Sequence, residues 1–256
     1  MRITTAIGLL SAALAGCEQP MTCPRAIYLD GAGWYSGDGP VRTGLRTGGY
    51  PGPVDRFHWQ GLLGPVGALS DHMGANGNHP KVPQLARRIE QLRQVNPNGQ
   101  IVLVGLSAGT SLIVCALERL GEDVEVDYVV LLSPSVSDRH DLTDALRHVR
   151  HRFYATISPH DGMLASAGPA GGESGRPAGL VGFRLPRKMT RERKKLLAKL
   201  IPLPWRPEYL AYGWDGGHVS ATSADFIRAV ITPRLLDDLP HPLDRPALTE
   251  KEATHD

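Results

Sequence analysis

The chain has 256 residues, of which 41% are hydrophobic and 21% are charged. This length and apolar content predict one globular domain, or at most two small ones, and exclude a wholly disordered chain. The 28 Lys and Arg residues nearly balance the 26 Asp and Glu residues, and a net charge of only +2 argues against a protein dedicated to nucleic-acid binding.

The first 17 residues, MRITTAIGLLSAALAGC, have the features of an export signal. The apolar run from Ile3 to Ala15 is too short to span a bilayer as a helix. It ends in small residues followed by Cys17, a pattern that resembles a bacterial lipobox. This resemblance implies removal of residues 1–16, acylation of Cys17 and a tether over 17–25, with a plain secretory signal as the alternative. We therefore expect an exported protein, anchored by lipid in the bacterial cell envelope, in a membrane leaflet that the sequence does not specify.

The first half of the remaining chain is predicted to contain two strands, two loops and a helix. A buried strand over 26–29 and a short strand over 55–60 are separated by a loop over 36–53, rich in glycine and proline. A second glycine-rich loop is predicted over 61–80. Apolar residues then recur at steps of three and four over 82–95, which predicts an amphipathic helix.

Strands and helices continue to alternate in the second half. A continuous apolar run over 101–104 predicts a central parallel strand, and a buried helix is expected over 108–120. Further strands are predicted over 126–132, 151–157 and, more weakly, 208–213, and further helices over 142–149 and 224–231, the last with Ser223 as its N-cap and Pro233 as its stop. This alternation predicts an α/β fold with a mostly parallel sheet of about six strands, flanked by helices.

The motif Gly105-Leu106-Ser107-Ala108-Gly109 lies between the central strand and the buried helix. A G-x-S-x-G sequence in this context is typical of a nucleophile elbow, a sharp turn that lifts the serine hydroxyl clear of the sheet. Glycines are needed because a side chain at either position would meet the neighbouring strand or helix. The turn also aims the Ala108 N–H, at the start of a helix, towards a developing oxyanion.

A serine nucleophile needs a base, and the base needs a carboxylate that orients it. Asp161 follows one predicted strand and His218 follows the next, so both are expected at the same sheet edge as Ser107. At this point the chain, over roughly 26–236, resembles the α/β-hydrolase family, in which the order is serine, acid, histidine. The resemblance implies a catalytic triad of Ser107, Asp161 and His218.

Two other acids and one other histidine remain alternatives for the members of the triad. Asp138 follows the preceding strand, where some family members carry their acid, and Asp215 lies close to His218. His160 adjoins the proposed acid, but it precedes that acid in the chain and so departs from the family order.

The resemblance also implies a second oxyanion donor and a substrate pocket near the first strand. The loop Asp30-Gly31-Ala32-Gly33 follows that strand, and the expected donor is the N–H of Ala32 or of Gly31. Many esterases carry a histidine or a glycine run here, and Asp30 stands in the histidine's place. The residues expected to line the substrate pocket are Trp34, Tyr35 and Leu106.

The α/β-hydrolase domain is expected over 26–238, without a large cap, and a loose tail over 239–256. The extra length lies over 163–205, between the acid and the histidine. Within it, residues 184–199 carry eight basic side chains against one acidic side chain, Glu192. This segment is expected to be a packed helix with a solvated face, a small lid, or a surface that meets anionic lipid.

The function implied by the resemblance is hydrolysis of carboxylic esters, on a small-molecule or lipid substrate, through an acyl-enzyme on Ser107. A thioesterase, an amidase or an acyltransferase would use the same residues, and a non-catalytic lipoprotein could keep the fold as a binding scaffold. No cofactor is expected, because no phosphate-binding, dinucleotide-binding or metal-ligand motif is present in the sequence. His72 and His79 lie in a predicted loop and are not expected to bind a metal. The acyl length, the alcohol and the oligomeric state are not specified.

Overall fold

The computed structural model describes residues 23–33, 37–61, 64–186 and 188–236. The strands in these ranges are β1 (Arg25–Leu29), β2 (Val54–Arg56), β3 (Ile101–Leu106), β4 (Val126–Leu132), β5 (Val149–Ile157) and β6 (Leu200–Pro204). They form a single sheet in the order β2-β1-β3-β4-β5-β6, and each neighbouring pair is parallel. The predicted α/β fold, with about six strands and no large cap, is confirmed for the described part of the chain.

Helices cover both faces of this sheet. They are α1 (Asp38–Thr47), α2 (Gly64–Gly74), α3 (Val82–Val95), α4 (Ala108–Leu117), α5 (Thr143–Arg147), α6 (Gly162–Ala167), α7 (Ala178–Val181), α8 (Arg191–Leu197), α9 (Ala224–Phe226) and α10 (Thr232–Leu236). A π-helical segment, Ile227–Ile231, joins α9 to α10, and 3-10 turns span Ala170–Gly172, Pro207–Tyr212 and Ser220–Thr222. None of the described helices is long and apolar enough to cross a membrane.

The two central strands, β3 and β4, are buried along their whole length. Alternate side chains enter two separate apolar layers, as expected for a sheet covered on both faces. Leu103 and Val129 pack with α3, α4 and α5 on one face. Val102 and Val130 pack with α1, α9 and α10 on the other. The largely apolar sequence of these strands therefore reflects their central position.

Several predictions concern residues outside the described ranges. These are the signal peptide over 1–16, the lipidation site Cys17 with most of the tether over 17–25, the pocket residues Trp34 and Tyr35, and the tail over 239–256. They stay predictions.

The loops predicted over 36–53 and 61–80 each contain a helix, so these two predictions were wrong. In α1, Pro40 lies in the first turn, where its missing N–H is tolerated. Gly44 belongs to the same helix because it allows close packing: a Cβ there would lie 2.6 Å from the Ala224 carbonyl oxygen. Gly44 therefore lies at a close contact of this helix, and composition alone does not distinguish such a glycine from one in a loop.

The last part of the sheet also differs from its prediction. The sixth strand is β6, and the strand predicted over 208–213 is a 3-10 turn at Pro207–Tyr212. Two prolines are tolerated in β6 because it lies at the edge of the sheet, where one row of N–H groups needs no partner.

The C-terminal helix continues past Pro233 to Leu236, so Pro233 does not end it. The π-helical segment immediately before that proline is the kind of local irregularity with which a helix accommodates a missing N–H. Ser223 stands at the N-cap position of α9, but its hydroxyl donates to the Tyr212 carbonyl at 2.8 Å and accepts no N–H of the helix.

The segment over 163–205 is largely attached to the domain. Its β6 belongs to the sheet, and α8 packs against α5. Arg184 forms an ion pair with the buried Asp138, and Arg193 forms one with Asp141. These contacts fit the interpretation of a packed helix with a solvated face. The lid and the lipid-binding surface stay predictions.

Candidate active site

Ser107 occupies a sharp turn between β3 and α4. Its backbone angles, φ 53° and ψ −127°, lie in a region that L-residues rarely adopt and that marks strained functional turns. Its N–H donates to the Leu132 carbonyl on β4 at 3.0 Å. A Cβ at Gly105 would lie 2.7 Å from the Ile113 side chain, and one at Gly109 would lie 2.5 Å from the Asp30 carbonyl oxygen. The predicted steric need is confirmed at Gly109, where the contact is with backbone, whereas at Gly105 the nearest atom is the flexible end of the Ile113 side chain.

Asp161 and His218 form a buried pair at the same edge of the sheet. Asp161 follows β5 and caps α6, where its Oδ1 accepts the Leu164 N–H at 2.9 Å. Its Oδ2 lies 2.8 Å from His218 Nδ1. Because an ionised carboxylate can only accept hydrogen bonds, Nδ1 carries the proton in this pair. His218 Nε2 is then available to accept a proton from another group.

Ser133, which the sequence analysis did not identify, holds the histidine loop. It directly follows β4, is buried, and has a φ of 44°. Its hydroxyl donates to the His218 carbonyl at 3.1 Å, and its N–H donates to Thr156 Oγ1 at 2.7 Å. Ser107 and Ser133 are the two non-glycine residues with positive φ in the described chain. Both strained residues therefore lie beside the candidate site.

The alternative acids and the alternative histidine have other partners. Asp138 accepts hydrogen bonds from the Arg184 side chain and the Arg176 N–H. Asp215 accepts the Gly217 N–H at 2.8 Å and so shapes the loop before His218. The His160 ring packs edge-on against Trp205, with 4.8 Å between ring centroids. Among these candidates, the structure brings Asp161 to His218.

The loop after β1 is organised by the buried carboxylate of Asp30. It accepts the N–H of Gly37 at 3.0 Å, the Tyr28 hydroxyl at 3.1 Å and the N–H of Gly31 at 3.2 Å. Burial raises the pKa of Asp30, and these hydrogen bonds oppose that rise. The Gly31 N–H is thus already engaged, whereas the N–H groups of Ala32 and Ala108 have no hydrogen-bond partner within the described residues. Of the two donors that the sequence left open, the structure favours Ala32.

Ser107 and His218 line one cavity of about 410 Å³, a size typical of small-molecule sites. Leu106 lines it, and α2 and α6 supply further walls. Apart from Ser107, His218, His72 and Ser166, the lining side chains are apolar: Ala32, Ala68, Leu69, Leu106, Met163, Leu164, Ala167 and Val219. The wall formed by α2 was missed because that helix was predicted to be a loop. No hydrogen bond joins the Ser107 hydroxyl to the His218 ring in the described structure.

A family model described as alpha/beta hydrolase matches residues 40–168, which is 129 of the 256 residues. The match includes the elbow at 105–109 and Asp161. The chain belongs to the alpha/beta hydrolase family. His218 lies beyond the matched residues of this α/β-hydrolase. A comparison with curated proteins finds no match.

Several solved structures are similar to this α/β-hydrolase in fold. An α/β serine hydrolase without a lid from Xanthomonas campestris is 15% identical, with 87% of this chain and 86% of that chain covered and a TM-score of 0.46. An esterase from Pyrococcus furiosus is 14% identical, with 85% and 81% covered and a TM-score of 0.46. A cutinase-like protein from Cryptococcus sp. is 16% identical, with 84% and 94% covered and a TM-score of 0.42.

Proposed function

We propose that this α/β-hydrolase cleaves carboxylic esters through an acyl-enzyme on Ser107. His218 acts first as general base and then as general acid, and Asp161 holds its ring. The observation that carries this proposal is the buried Asp161–His218 hydrogen bond of 2.8 Å. His218 lines the cavity that is also lined by Ser107 at its strained turn, and Asp161 is buried behind it.

The reaction follows from the roles of these groups. The Ser107 hydroxyl attacks the carbonyl carbon of the ester while His218 Nε2 takes its proton. Negative charge on the carbonyl oxygen is stabilised by the N–H groups of Ala108 and Ala32. Collapse of this tetrahedral species breaks the bond to the alcohol, which leaves with the proton from His218. Water, deprotonated by His218, then attacks the acyl-enzyme; the bond from the acyl group to Ser107 Oγ breaks, His218 returns the proton to Ser107, and the acid is released.

The apolar lining of the cavity favours esters with a hydrophobic acyl or alcohol part. Leu69 and Met163 line the cavity although 64% and 55% of their surfaces remain exposed. They therefore extend the apolar surface from the cavity to the outside of the protein. Such a rim fits both small apolar esters and lipid esters.

The proposed location of the protein in the cell rests on the sequence of the N-terminus. We propose that Cys17 is acylated after export and that the enzyme is anchored in the bacterial cell envelope. Growth with a radiolabelled fatty acid should label the wild-type protein and leave Cys17→Ser unlabelled. Equal labelling of the two proteins would contradict this part of the proposal.

The chemistry is tested with a fluorophosphonate probe, which labels activated serines. Wild-type protein is expected to be labelled, and Ser107→Ala and His218→Ala are expected to lose labelling. Ser70→Ala and His58→Leu change an exposed serine and an exposed histidine, so they are matched controls and should be labelled like wild type. Circular dichroism establishes that each variant is folded.

The outcomes separate the alternative functions. Absence of labelling in folded wild-type protein would refute the activated serine and favour a non-catalytic binding scaffold. When labelling occurs, matched ester, thioester and amide substrates with one acyl group identify the bond that is cleaved. Addition of an alcohol acceptor distinguishes a hydrolase, which releases acid, from an acyltransferase, which forms a new ester.

A further inference from the structure

Residues 184–199, here called the basic segment, carry charge that the proposed reaction does not use. The segment has eight Lys and Arg residues against Glu192 alone, which is a net charge of +7. Because the whole chain carries only +2, the remaining residues together carry −5. The surface of a soluble domain usually mixes both signs of charge. This separation of charge within one chain therefore needs a physical explanation.

Helix α8, in the basic segment, is attached to the domain through one face. Leu196 and Leu197 pack against the apolar core on that face. Arg193 lies on the same face, donates to Thr143 Oγ1 at 3.1 Å and forms its ion pair with Asp141. These contacts fix α8 against the start of α5 and leave its opposite face to the solvent.

The solvent face of α8 carries positive charge without partners. Arg191, Lys194 and Lys195 lie at positions i, i+3 and i+4 and therefore share this face. All three are exposed, as is Lys188 before the helix. None of these four side chains has an ion pair or a hydrogen bond with another described residue. Like charges at this spacing destabilise a helix, so the arrangement is unfavourable for a helix that contacts water alone.

The acidic side chains around α8 do not neutralise this face. Glu192 forms an ion pair with Arg147 at 3.4 Å, and Asp141 is paired with Arg193. Both acids are therefore engaged by arginines other than the four free cations. The solvent face of α8 is left with a positive charge that a ligand outside the domain can meet.

The basic segment also exposes two large apolar side chains. Leu185 is 64% exposed and Met189 is 37% exposed. A soluble polyanion, such as a nucleic acid, would bind the cations and gain little from these apolar groups. A bilayer with anionic lipid offers charged headgroups to the cations and an apolar boundary to Leu185 and Met189. The combination of the two kinds of side chain favours the bilayer.

We propose that the basic segment is a membrane-contact surface that selects bilayers containing anionic lipid. The residues that meet the headgroups are Lys188, Arg191, Lys194 and Lys195, and those that enter the apolar boundary are Leu185 and Met189. This contact goes beyond the acyl anchor proposed at Cys17, because an acyl chain enters neutral and anionic bilayers alike. It is also independent of the ester chemistry.

The test measures the partition of the full chain onto vesicles. The chain carries Cys17→Ser, so that no acyl group contributes to binding. One set of vesicles is phosphatidylcholine, and the other also contains about 30% phosphatidylglycerol. The readout is the ratio of the anionic to the neutral partition coefficient, because the apolar residues 3–15 contribute to both coefficients and cancel.

The expected ratio follows from the number of free cations. One Lys or Arg near an anionic surface raises the partition coefficient by roughly fivefold. Four such residues predict a ratio of the order of several hundred at an ionic strength of about 0.1 M. At about 0.5 M the Debye length falls to about 4 Å, and the ratio should drop below about ten.

Two double variants test the position of the charge. Lys194→Gln with Lys195→Gln removes two cations from the solvent face of α8 and should lower the ratio by about 25-fold. Arg46→Gln with Arg87→Gln is the matched control, because it removes two exposed cations from α1 and α3. This control has the same net charge and should keep the ratio of wild type. Circular dichroism establishes that each variant is folded.

Leu185→Asn tests the apolar part of the surface. It should weaken binding to the anionic vesicles by about tenfold, because a leucine side chain no longer leaves water. Leu210→Asn is the matched control, because Leu210 is 56% exposed and lies outside the basic segment. It should bind like wild type.

A ratio close to one in wild type would overturn the inference, as would equal losses in the two double variants. Binding that does not respond to Leu185→Asn would also overturn it and would favour a soluble polyanion as the partner. Failure of the proposed function gives a different result, because loss of fluorophosphonate labelling or of ester hydrolysis leaves all of these ratios unchanged.

Discussion

Gly109, the second glycine of the elbow, allows the start of α4 to contact the backbone of β1. A Cβ at this position would lie 2.5 Å from the carbonyl oxygen of Asp30 and 2.9 Å from that of Leu29. Ordinary contacts between carbon and oxygen begin near about 3.3 Å. Gly109→Ala therefore requires a displacement of about 0.8 Å between these elements. Because both contacts are backbone atoms, no side-chain rotation can relieve them.

Gly109→Ala is expected to lower the free energy of unfolding by about 3 kcal/mol through this overpacking, which is the upper end of the usual range. The better helix propensity of alanine offsets up to about 1 kcal/mol. The net loss in the free energy of unfolding is then about 2 kcal/mol, which corresponds to a shift of about 1 M in the urea midpoint when the slope is about 2 kcal/mol per molar. Displacement of the Asp30 peptide also moves Ala32, so kcat for an ester should fall about 100-fold, as when an oxyanion donor is lost.

Gly39→Ala is the matched control for this variant. Gly39 lies in α1, and a Cβ there would have no neighbour within 4 Å. This change should stabilise the protein by about 0.5–1 kcal/mol and leave kcat unchanged. Urea unfolding and ester hydrolysis are measured on both variants. A Gly109→Ala protein with the midpoint and the kcat of wild type would refute the steric reasoning.

Two further predictions concern single contacts. Ser133→Ala removes the hydrogen bond to the His218 carbonyl, so kcat should fall about fivefold at constant KM; a raised KM with unchanged kcat would contradict this positioning role. Hydrogen bonds to Glu118 and then Glu173 raise the pKa of His140 to about 10, above its unfolded value of about 6.5. The contribution of these two hydrogen bonds to the free energy of unfolding is therefore complete below pH 6.5 and is lost as the pH rises through 10. In urea unfolding, His140→Gln should cost about 1–2 kcal/mol at pH 6 and much less above pH 10, and a pH-independent difference would exclude this ion-pair contribution.

The central part of the fold could be predicted because its signals are local. The strands over 101–106 and 126–132 are rich in apolar residues, and the elbow that follows the first of them is a motif of fixed spacing. Parallel strands place their carboxyl ends at one edge, so the residues that follow them meet there. The rule places Asp161, which follows β5, at this edge. His218 was expected there after a strand over 208–213, but that stretch is a 3-10 turn, and the loop after it brings His218 to Asp161.

The α2 wall could not be predicted because its side chains do not follow the usual apolar pattern. Val66 is 78% exposed and Met73 is 50% exposed, so its large apolar side chains do not mark a face turned to the core. The apolar side chains of a helix that borders a cavity face that open space and not the packed core. Its sequence therefore lacks the amphipathic period of a helix that lies on the core. His72 lines the cavity from this wall, so its place there could not be predicted either.

The choice between the two oxyanion donors depends on the carboxylate of Asp30. A buried carboxylate is an acceptor without donors of its own, so it must take N–H or O–H groups from its surroundings. In this loop it takes the N–H of Gly31, the residue that directly follows it. Asp30 therefore engages the N–H groups of Gly31 and Gly37, and the Ala32 N–H is the donor that we assign to the oxyanion in the proposed reaction. A neutral histidine offers one acceptor nitrogen where the carboxylate offers two oxygens, so it could not hold the Gly31 N–H, the Gly37 N–H and the Tyr28 hydroxyl together as Asp30 does.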